Sequence, residues 1–157
     1  MIGYVLLITA AVVIGVVVYQ WMKTYVPTEV PDCPDGISIF IEDAYCGGGN
    51  LSVTIKNSGR FSLGGYFIRT KNDSIQEIAT IDLSNLTKEG EDNGGMVLFE
   101  RSVNALSPGK EHHNNFTLLN QEIHSIELIP IRYQERDNRM IMVICGKSKA
   151  IDEVVCT

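Results

Sequence analysis

The first 22 residues of the chain carry no charged side chain, and this run constrains the rest of the molecule more than any other feature. All 32 Asp, Glu, Lys and Arg residues follow it. At about 1.5 Å per residue, such a run forms roughly 33 Å of helix, which is enough to cross a hydrocarbon core. We therefore predict a hydrophobic helix over residues 1–26 that ends at Pro27. A collar typical of a membrane interface lies near its end: Tyr19, Trp21, Lys23 and Tyr25.

Three kinds of N-terminal segment fit a run of this type. A cleaved secretory signal begins with a basic residue and has a shorter apolar core, and this run has neither property. A membrane anchor fits the length and the collar. A helix destined for a bundle of identical helices fits them as well, if a short basic leader has been removed or lies outside this numbering. Because the helix is apolar on every side, either lipid or other helices must cover it.

Small residues interrupt the apolar run at positions suited to close helix packing. Ala11 and Gly15 form a small-xxx-small pair, which lets two helix backbones approach closely in an apolar medium. Gly3 adds a further small position near the start. We therefore predict that Gly3, Ala11 and Gly15 pack against a neighbouring helix.

Four cysteines follow the helix, and their even number predicts two disulfides in an oxidising compartment. They are Cys33, Cys46, Cys145 and Cys156. The alternative is four reduced core cysteines in a cytosolic protein, which the exported character of the helix disfavours. If the first and last strands pair antiparallel, Cys33 bonds to Cys156 and Cys46 bonds to Cys145. The sequence itself leaves three connectivities open.

The remainder of the chain has the pattern of an all-β domain. A Pro-rich linker over residues 27–34 precedes a domain over residues 35–157. Within it, short apolar runs alternate with turn signals, as in Leu51 to Lys56, where Leu51, Val53 and Ile55 mark one face. Eight or nine such runs predict a β-sandwich of the immunoglobulin-like type. The fold class is then α+β, with a long N-terminal helix followed by this sandwich.

Charge and motif content argue against catalysis and against nucleic-acid binding. The net charge is −6 without a basic stripe. We interpret His112 and His113 as surface loop histidines, and His124 is isolated. Loop residues 89–93 contain carboxylates without the spacing of an EF-hand. We therefore predict no catalytic residue, no metal ligand and no cofactor, and a protein that is not an enzyme.

Four N-glycosylation sequons lie on the exported side of the helix. Chance would place about one or two in a chain of this length. The excess favours N-linked glycans on the surface of the domain. The predicted acceptors are Asn50, Asn72, Asn85 and Asn115.

The segment Ile2-Gly-Tyr-Val-Leu-Leu-Ile8, followed by an unbroken apolar helix, resembles the archaeal type IV pilin and archaellin class. The pieces Cys-Pro-Asp-Gly, Asn-Ser-Gly-Arg-Phe and Gly-Gly-Tyr-Phe-Ile resemble exported pilin-like proteins of such organisms. The specific likeness covers about 27 residues, and the remainder is similar in architecture only. Two departures stand out. No basic leader precedes the helix, and position 5 is Val5, where bacterial pilins carry a glutamate.

The resemblance implies a structural subunit of a helical filament at the cell surface. It implies a leader cut by a prepilin-type peptidase, a stage in the membrane, and assembly with identical chains through dedicated machinery. The helices would form the core, and the β domains, often glycosylated, would lie outside. One alternative is a single-pass, membrane-anchored β-sandwich, such as a motility stator or binding module. A third is an anchored extracytoplasmic enzyme.

Overall fold

The computed structural model of the chain describes residues 2–25, 32–90, 93–100, 103–118, 122–136, 138–154 and 156. The chain divides into two compact units, Met1–Pro31 and Asp32–Thr157. The predicted linker over residues 27–34 lies outside the described residues except for its last three. We call the second unit the β domain.

The first unit is one α-helix, α1, over Ile2–Tyr25. Its stretch Gly3–Tyr25 is long and apolar enough to cross a membrane, with a mean hydropathy of 2.2. The side chains from Gly3 to Tyr25 are all exposed. In the collar, the Trp21 and Tyr25 rings meet edge to face at 5.1 Å, and Lys23 Nζ lies 5.2 Å from the Tyr19 ring centre. The predicted helix is confirmed, and it indicates either membrane insertion or a signal peptide.

The β domain contains nine strands within the described residues, and all their pairings are antiparallel. A three-stranded sheet has the order β1-β2-β6, and a six-stranded sheet is built on β4-β3-β7-β8, with β5 beside β3 and β9 beside β7. A helix followed by antiparallel β-structure is α+β, as predicted. The strands are β1 Ile39–Gly47, β2 Asn50–Asn57, β3 Gly65–Lys71, β4 Ile81–Asp82, β5 Val97–Leu98, β6 Glu111–Thr117, β7 Ser125–Arg136, β8 Arg139–Ile144 and β9 Ala150–Asp152.

The core of the β domain lies between the two sheets. In β2, Leu51, Val53 and Ile55 are fully buried, as the period-two pattern of this strand predicts. They share one hydrophobic cluster with β3 and β7 residues such as Ile68 and Leu128. Both sheets therefore bury one face against a common interior and leave the other face outside.

The predicted disulfide pairing is wrong, although all four cysteines are bonded. Cys33 bonds to Cys145, and Cys46 bonds to Cys156. The prediction assumed that the first and last strands are hydrogen-bonded antiparallel neighbours. Instead, β1 pairs with β2, while β9 pairs with β7 in the other sheet. The segments 33–46 and 145–156 run side by side in the same direction, so each bridge joins corresponding ends and ties the two sheets together along one side.

Candidate functional site

The first candidate surface is the small-residue face of α1. Ala11 and Gly15 are one turn apart, so they lie on one face of the helix. Beyond the adjacent backbone of the helix, a β-carbon added at Gly15 would meet no atom within 4 Å, and the same holds at Gly3. The surface of α1 at Gly15 is therefore open to the approach of a neighbouring helix.

The second candidate surface is the outer face of the three-stranded sheet, which is polar along β2 and β6. Lys56 Nζ lies 2.7 Å from Glu111 Oε1 and 3.3 Å from Glu42 Oε1. The hydrogen bond to Glu111 raises the pKa of Lys56, and that of Glu111 is lowered by the same bond. Next along the face, the His113 ring contacts two hydroxyls, Thr54 Oγ1 at 3.1 Å and Ser52 Oγ at 3.3 Å.

All four predicted glycan acceptors are exposed asparagines, and they fall into two structural settings. Asn50 and Asn115 lie in β2 and β6, on the polar outer face. Asn72 lies in the turn that follows β3, and Asn85 lies in a short 3-10 helix, Ser84–Leu86. This difference between strand and loop sequons is not visible in the sequence.

The outer face of the larger sheet is mixed, since the charged cross-strand pair Arg69 and Glu127 lies beside apolar residues. Alternation along β3 and β7 directs Phe67 and Ile129 to this face as a cross-strand pair. At its edge, Ile144 is 51% exposed and Ile151 is 55% exposed. Met140, paired with Glu135 in the β7–β8 hairpin, is 52% exposed. The smaller sheet therefore carries two acceptors on its outer face, while the larger sheet has exposed apolar residues at its edge, which we call the apolar edge (Ile144 and Ile151).

A polar contact fastens the loop between β4 and β5 to the free edge of the smaller sheet. His112 Nε2 lies 2.9 Å from Glu89 Oε2, and Asn114 Nδ2 donates to the same carboxylate oxygen. The His112 ring also packs edge to face on Phe99 at 5.0 Å. The interpretation of His112 and His113 as loop histidines is wrong, because both lie in β6 and each makes specific contacts. Glu89 thus links the β4–β5 loop to the edge strand β6.

The sequence gives little indication of this contact. His112 and Asn114 occupy inward positions of β6, opposite Ile55 and Val53, where the strand pattern favours apolar residues. Polar residues at such positions indicate that a hydrogen-bond partner lies inside the domain. The partner comes from a loop about 25 residues earlier, which strand patterns do not locate.

No group of three or more His, Cys, Asp or Glu side chains positioned to hold a metal ion occurs in the described part of the chain. In the acidic loop, Asn93 Nδ2 donates to the Glu89 carbonyl at 2.8 Å. The other carboxylates of that loop, Glu91 and Asp92, lie outside the described residues.

Tyr66 is the most perturbed titratable group of the core. Burial raises its pKa well above the usual value, and the nearby negative charge of Glu89 adds to the shift. A raised folded-state pKa means that the folded domain favours the neutral form of the phenol. Its contribution to stability is complete below the unfolded-state pKa of about 10 and is lost as the pH rises through the folded-state pKa.

We expect alkaline pH to destabilise the wild-type chain more than a Tyr66→Phe variant. Above about pH 10, the difference in unfolding free energy between the two chains should shift by about 1.4 kcal/mol per pH unit in favour of the variant. Denaturant midpoints of both chains between pH 7 and 11 measure this difference. Tyr45→Phe is the matched control, because Tyr45 is 67% exposed. Parallel pH curves for wild type and Tyr66→Phe would contradict the expectation.

Comparison with models of known protein families and with curated proteins finds no match to this chain. Its function must therefore be argued from its own surfaces. The apolar N-terminal helix indicates membrane insertion or a signal peptide. The two disulfides indicate that the β domain is extracellular.

Proposed function

We propose that this protein is the structural subunit of an extracellular helical filament, of the type IV pilus or archaellum kind. Bundled copies of α1 form the filament core, and the β domains lie outside with N-linked glycans. We also assign the β domain to the immunoglobulin-like sandwiches, on the basis of its two antiparallel sheets around one core. The subunit acts by assembly and performs no catalysis.

The observation that carries this proposal is the character of α1. Its side chains are exposed from Gly3 to Tyr25, and none of them before Lys23 is charged. Exposed apolar surface of this extent must be covered, and monomeric soluble proteins rarely leave so much open. The Ala11 and Gly15 pair adds the close-packing feature that a lipid-facing anchor does not need.

The unequal faces of the β domain support the same proposal. In a filament, each outer domain has one side against neighbouring copies and another side against solvent. The apolar edge of the larger sheet, with Ile144 and Ile151, suits the first role. The polar face with Asn50 and Asn115 suits the second, because glycans are bulky and solubilising.

Assembly would then exchange one apolar environment for another. The membrane first holds the subunit by α1, and a prepilin-type peptidase and assembly machinery deliver it to the growing filament. Helix contacts replace lipid contacts at nearly constant hydrophobic free energy, so close packing and outer-domain contacts supply the preference for the filament.

The alternative function is a single-pass anchor that holds one β domain outside the membrane, as in a motility stator or binding module. The hydropathy of Gly3–Tyr25 favours it equally. The anchored form predicts that α1 stays in lipid permanently and that the apolar edge of the larger sheet contacts a different protein.

Negative-stain imaging of the protein sheared from native cells tests the proposal. We expect long filaments of uniform width, with peptides of this chain as the main component by mass spectrometry. A homogeneous detergent-bound particle extracted from membranes, without filaments, would favour the anchored alternative and overturn the filament.

A further inference from the structure

Two of the four sequons face each other across one pair of strands. Asn50–Ser52 in β2 and Asn115–Thr117 in β6 are antiparallel, and their register aligns the acceptor of each with the hydroxyl residue of the other. The central residues, Leu51 and Phe116, are both fully buried in the core. The two acceptors and the two hydroxyl residues therefore share the outer face.

The folded sheet holds these two sequons in place. β2 is the central strand, so residues 50–52 pair with β1 on one side and with β6 on the other. The side chains of Asn50 and Ser52 also form hydrogen bonds. Asn50 Nδ2 lies 3.3 Å from the Gly48 carbonyl, and Ser52 Oγ lies 3.3 Å from His113 Nε2. Access to the Asn50 amide and its hydroxyl partner requires β2 to leave the sheet and Leu51 to leave the core.

The other two sequons are not held in this way. Asn72, Asp73 and Ser74 are all exposed and lie in the turn after β3. Around Asn85 the backbone hydrogen bonds are local, because the Leu86 N–H donates to the Leu83 carbonyl and the Thr87 N–H donates to the Ser84 carbonyl. Local rearrangement of a loop frees such residues. Freeing Asn50 instead opens the central strand β2, and freeing Asn115 draws the fully buried Phe116 of the edge strand β6 out of the core.

We propose that Asn50 and Asn115 receive their glycans before β2 and β6 pair, whereas Asn72 is also an acceptor in the folded domain. This rests on the glycosylation included in the proposed function. The co-reactant is an oligosaccharide linked to a lipid phosphate. The Asn side-chain nitrogen forms a bond to the anomeric carbon, the bond from that carbon to the lipid phosphate oxygen breaks, and the nitrogen loses one proton as the lipid phosphate leaves.

Adjacent glycans are the structural consequence of this order. Diagonal neighbours on one face of an antiparallel pair have side chains about 7 Å apart. Sugars on Asn50 and Asn115 would therefore lie side by side over the smaller sheet. They would keep that face in solvent and leave the apolar edge of the larger sheet for contact between subunits.

In the test, the full-length chain in detergent is incubated with a purified oligosaccharyltransferase and its lipid-linked oligosaccharide donor. The chain is made without glycans, and peptide mapping first verifies that both disulfides have formed. One sample stays folded, and a second is reduced, alkylated and unfolded. Mass spectrometry of tryptic peptides then gives the initial rate of modification at each acceptor.

In the folded chain we expect the initial rates at Asn50 and Asn115 to be at least about 100-fold lower than in the unfolded chain, because native domains are unfolded only about one part in a thousand or less of the time. Asn72 is the internal control and should change little. Equal rates at Asn50 in both samples would overturn the inference, as would no modification of Asn50 or Asn115 in the unfolded chain. If no acceptor is modified in either sample, the glycosylation in the proposed function fails as well, while filament imaging still decides assembly.

Discussion

Removing either disulfide should cost the β domain about 3.5 kcal/mol, and removing both should cost about 8 kcal/mol. The two bridges are interdependent because they link the same two chain segments. With Cys33–Cys145 closed, the second bridge closes a loop made only of two segments, with sequence separations of 13 from Cys33 to Cys46 and 11 from Cys145 to Cys156. Without the first bridge, the second closes a loop of sequence separation 110. The second removal therefore costs more than the first, about 5 kcal/mol in the chain-entropy model.

The effect is large against the stability of an ordinary domain, about 5–15 kcal/mol. We expect C33A/C145A and C46A/C156A chains to fold with lowered denaturant midpoints, and the fourfold variant to be largely unfolded at 37 °C. Pulse proteolysis across a urea series measures the folded fraction of the β domain. Tryptophan fluorescence is unsuitable because the single tryptophan, Trp21, lies in α1.

Two controls accompany this measurement. Non-reducing peptide maps of the wild type should recover Cys33 linked to Cys145 and Cys46 linked to Cys156. Chemical reduction and alkylation of the wild type should reproduce the fourfold variant. Losses that are equal for the first and second bridge, or a fourfold variant as stable as the wild type, would contradict the expected coupling.

The local pattern of the chain predicts its elements well where one face of a strand is buried. Leu51, Val53 and Ile55 alternate with polar residues, and the structure buries all three fully. The hairpin of β7 and β8 also follows from apolar runs on both sides of a polar turn. Prediction is weaker where strands are short. The run from Ile75 to Leu83 contains only a two-residue strand, because Ile75 and Ile78 are 84% and 69% exposed in a loop.

Contacts between distant segments could not be predicted in the same way. The direction in which residues 33–46 and 145–156 run relative to each other depends on the order of strands in two sheets. The assumption of antiparallel neighbours gave the wrong disulfides for this reason. The contact from Glu89 to His112 and Asn114 has the same origin, since a loop residue meets a strand edge only after both sheets are in place.

Candidate surfaces formed by residues close in sequence can be predicted, whereas those formed by residues far apart in sequence cannot. The sequence alone identifies the apolar run of α1 and the four glycosylation sequons. The positions of the polar face and of the apolar edge require the register of β2 with β6 and of β7 with β8 and β9. Only that register reveals that Asn50 and Asn115 are neighbours, although 65 positions separate them in the sequence.

Replacing Gly15 by Leu should abolish filaments while leaving the chain in the membrane. Leu adds apolar surface, so insertion of α1 into lipid is favoured slightly. A β-carbon at Gly15 has no neighbour within 4 Å beyond the adjacent backbone of its own helix. In a bundle of helices the added side chain would enter the surface of a neighbour, and overpacking of this kind costs about 1–3 kcal/mol per contact.

Each subunit of a filament would make that contact with its neighbours, so we expect at least a tenfold loss of pelleted filament. Ultracentrifugation of sheared cell-surface material measures the filaments, and flotation of membranes measures the anchored subunit. Ala11→Leu and Ala10→Leu form the matched pair, since they are the same change on adjacent residues and only Ala11 shares the face of Gly15. Ala11→Leu should reduce filaments more strongly than Ala10→Leu. If Gly15→Leu and Ala11→Leu both assemble as wild type does, the small-residue face is not a packing surface, and the filament core must be held by other parts of α1.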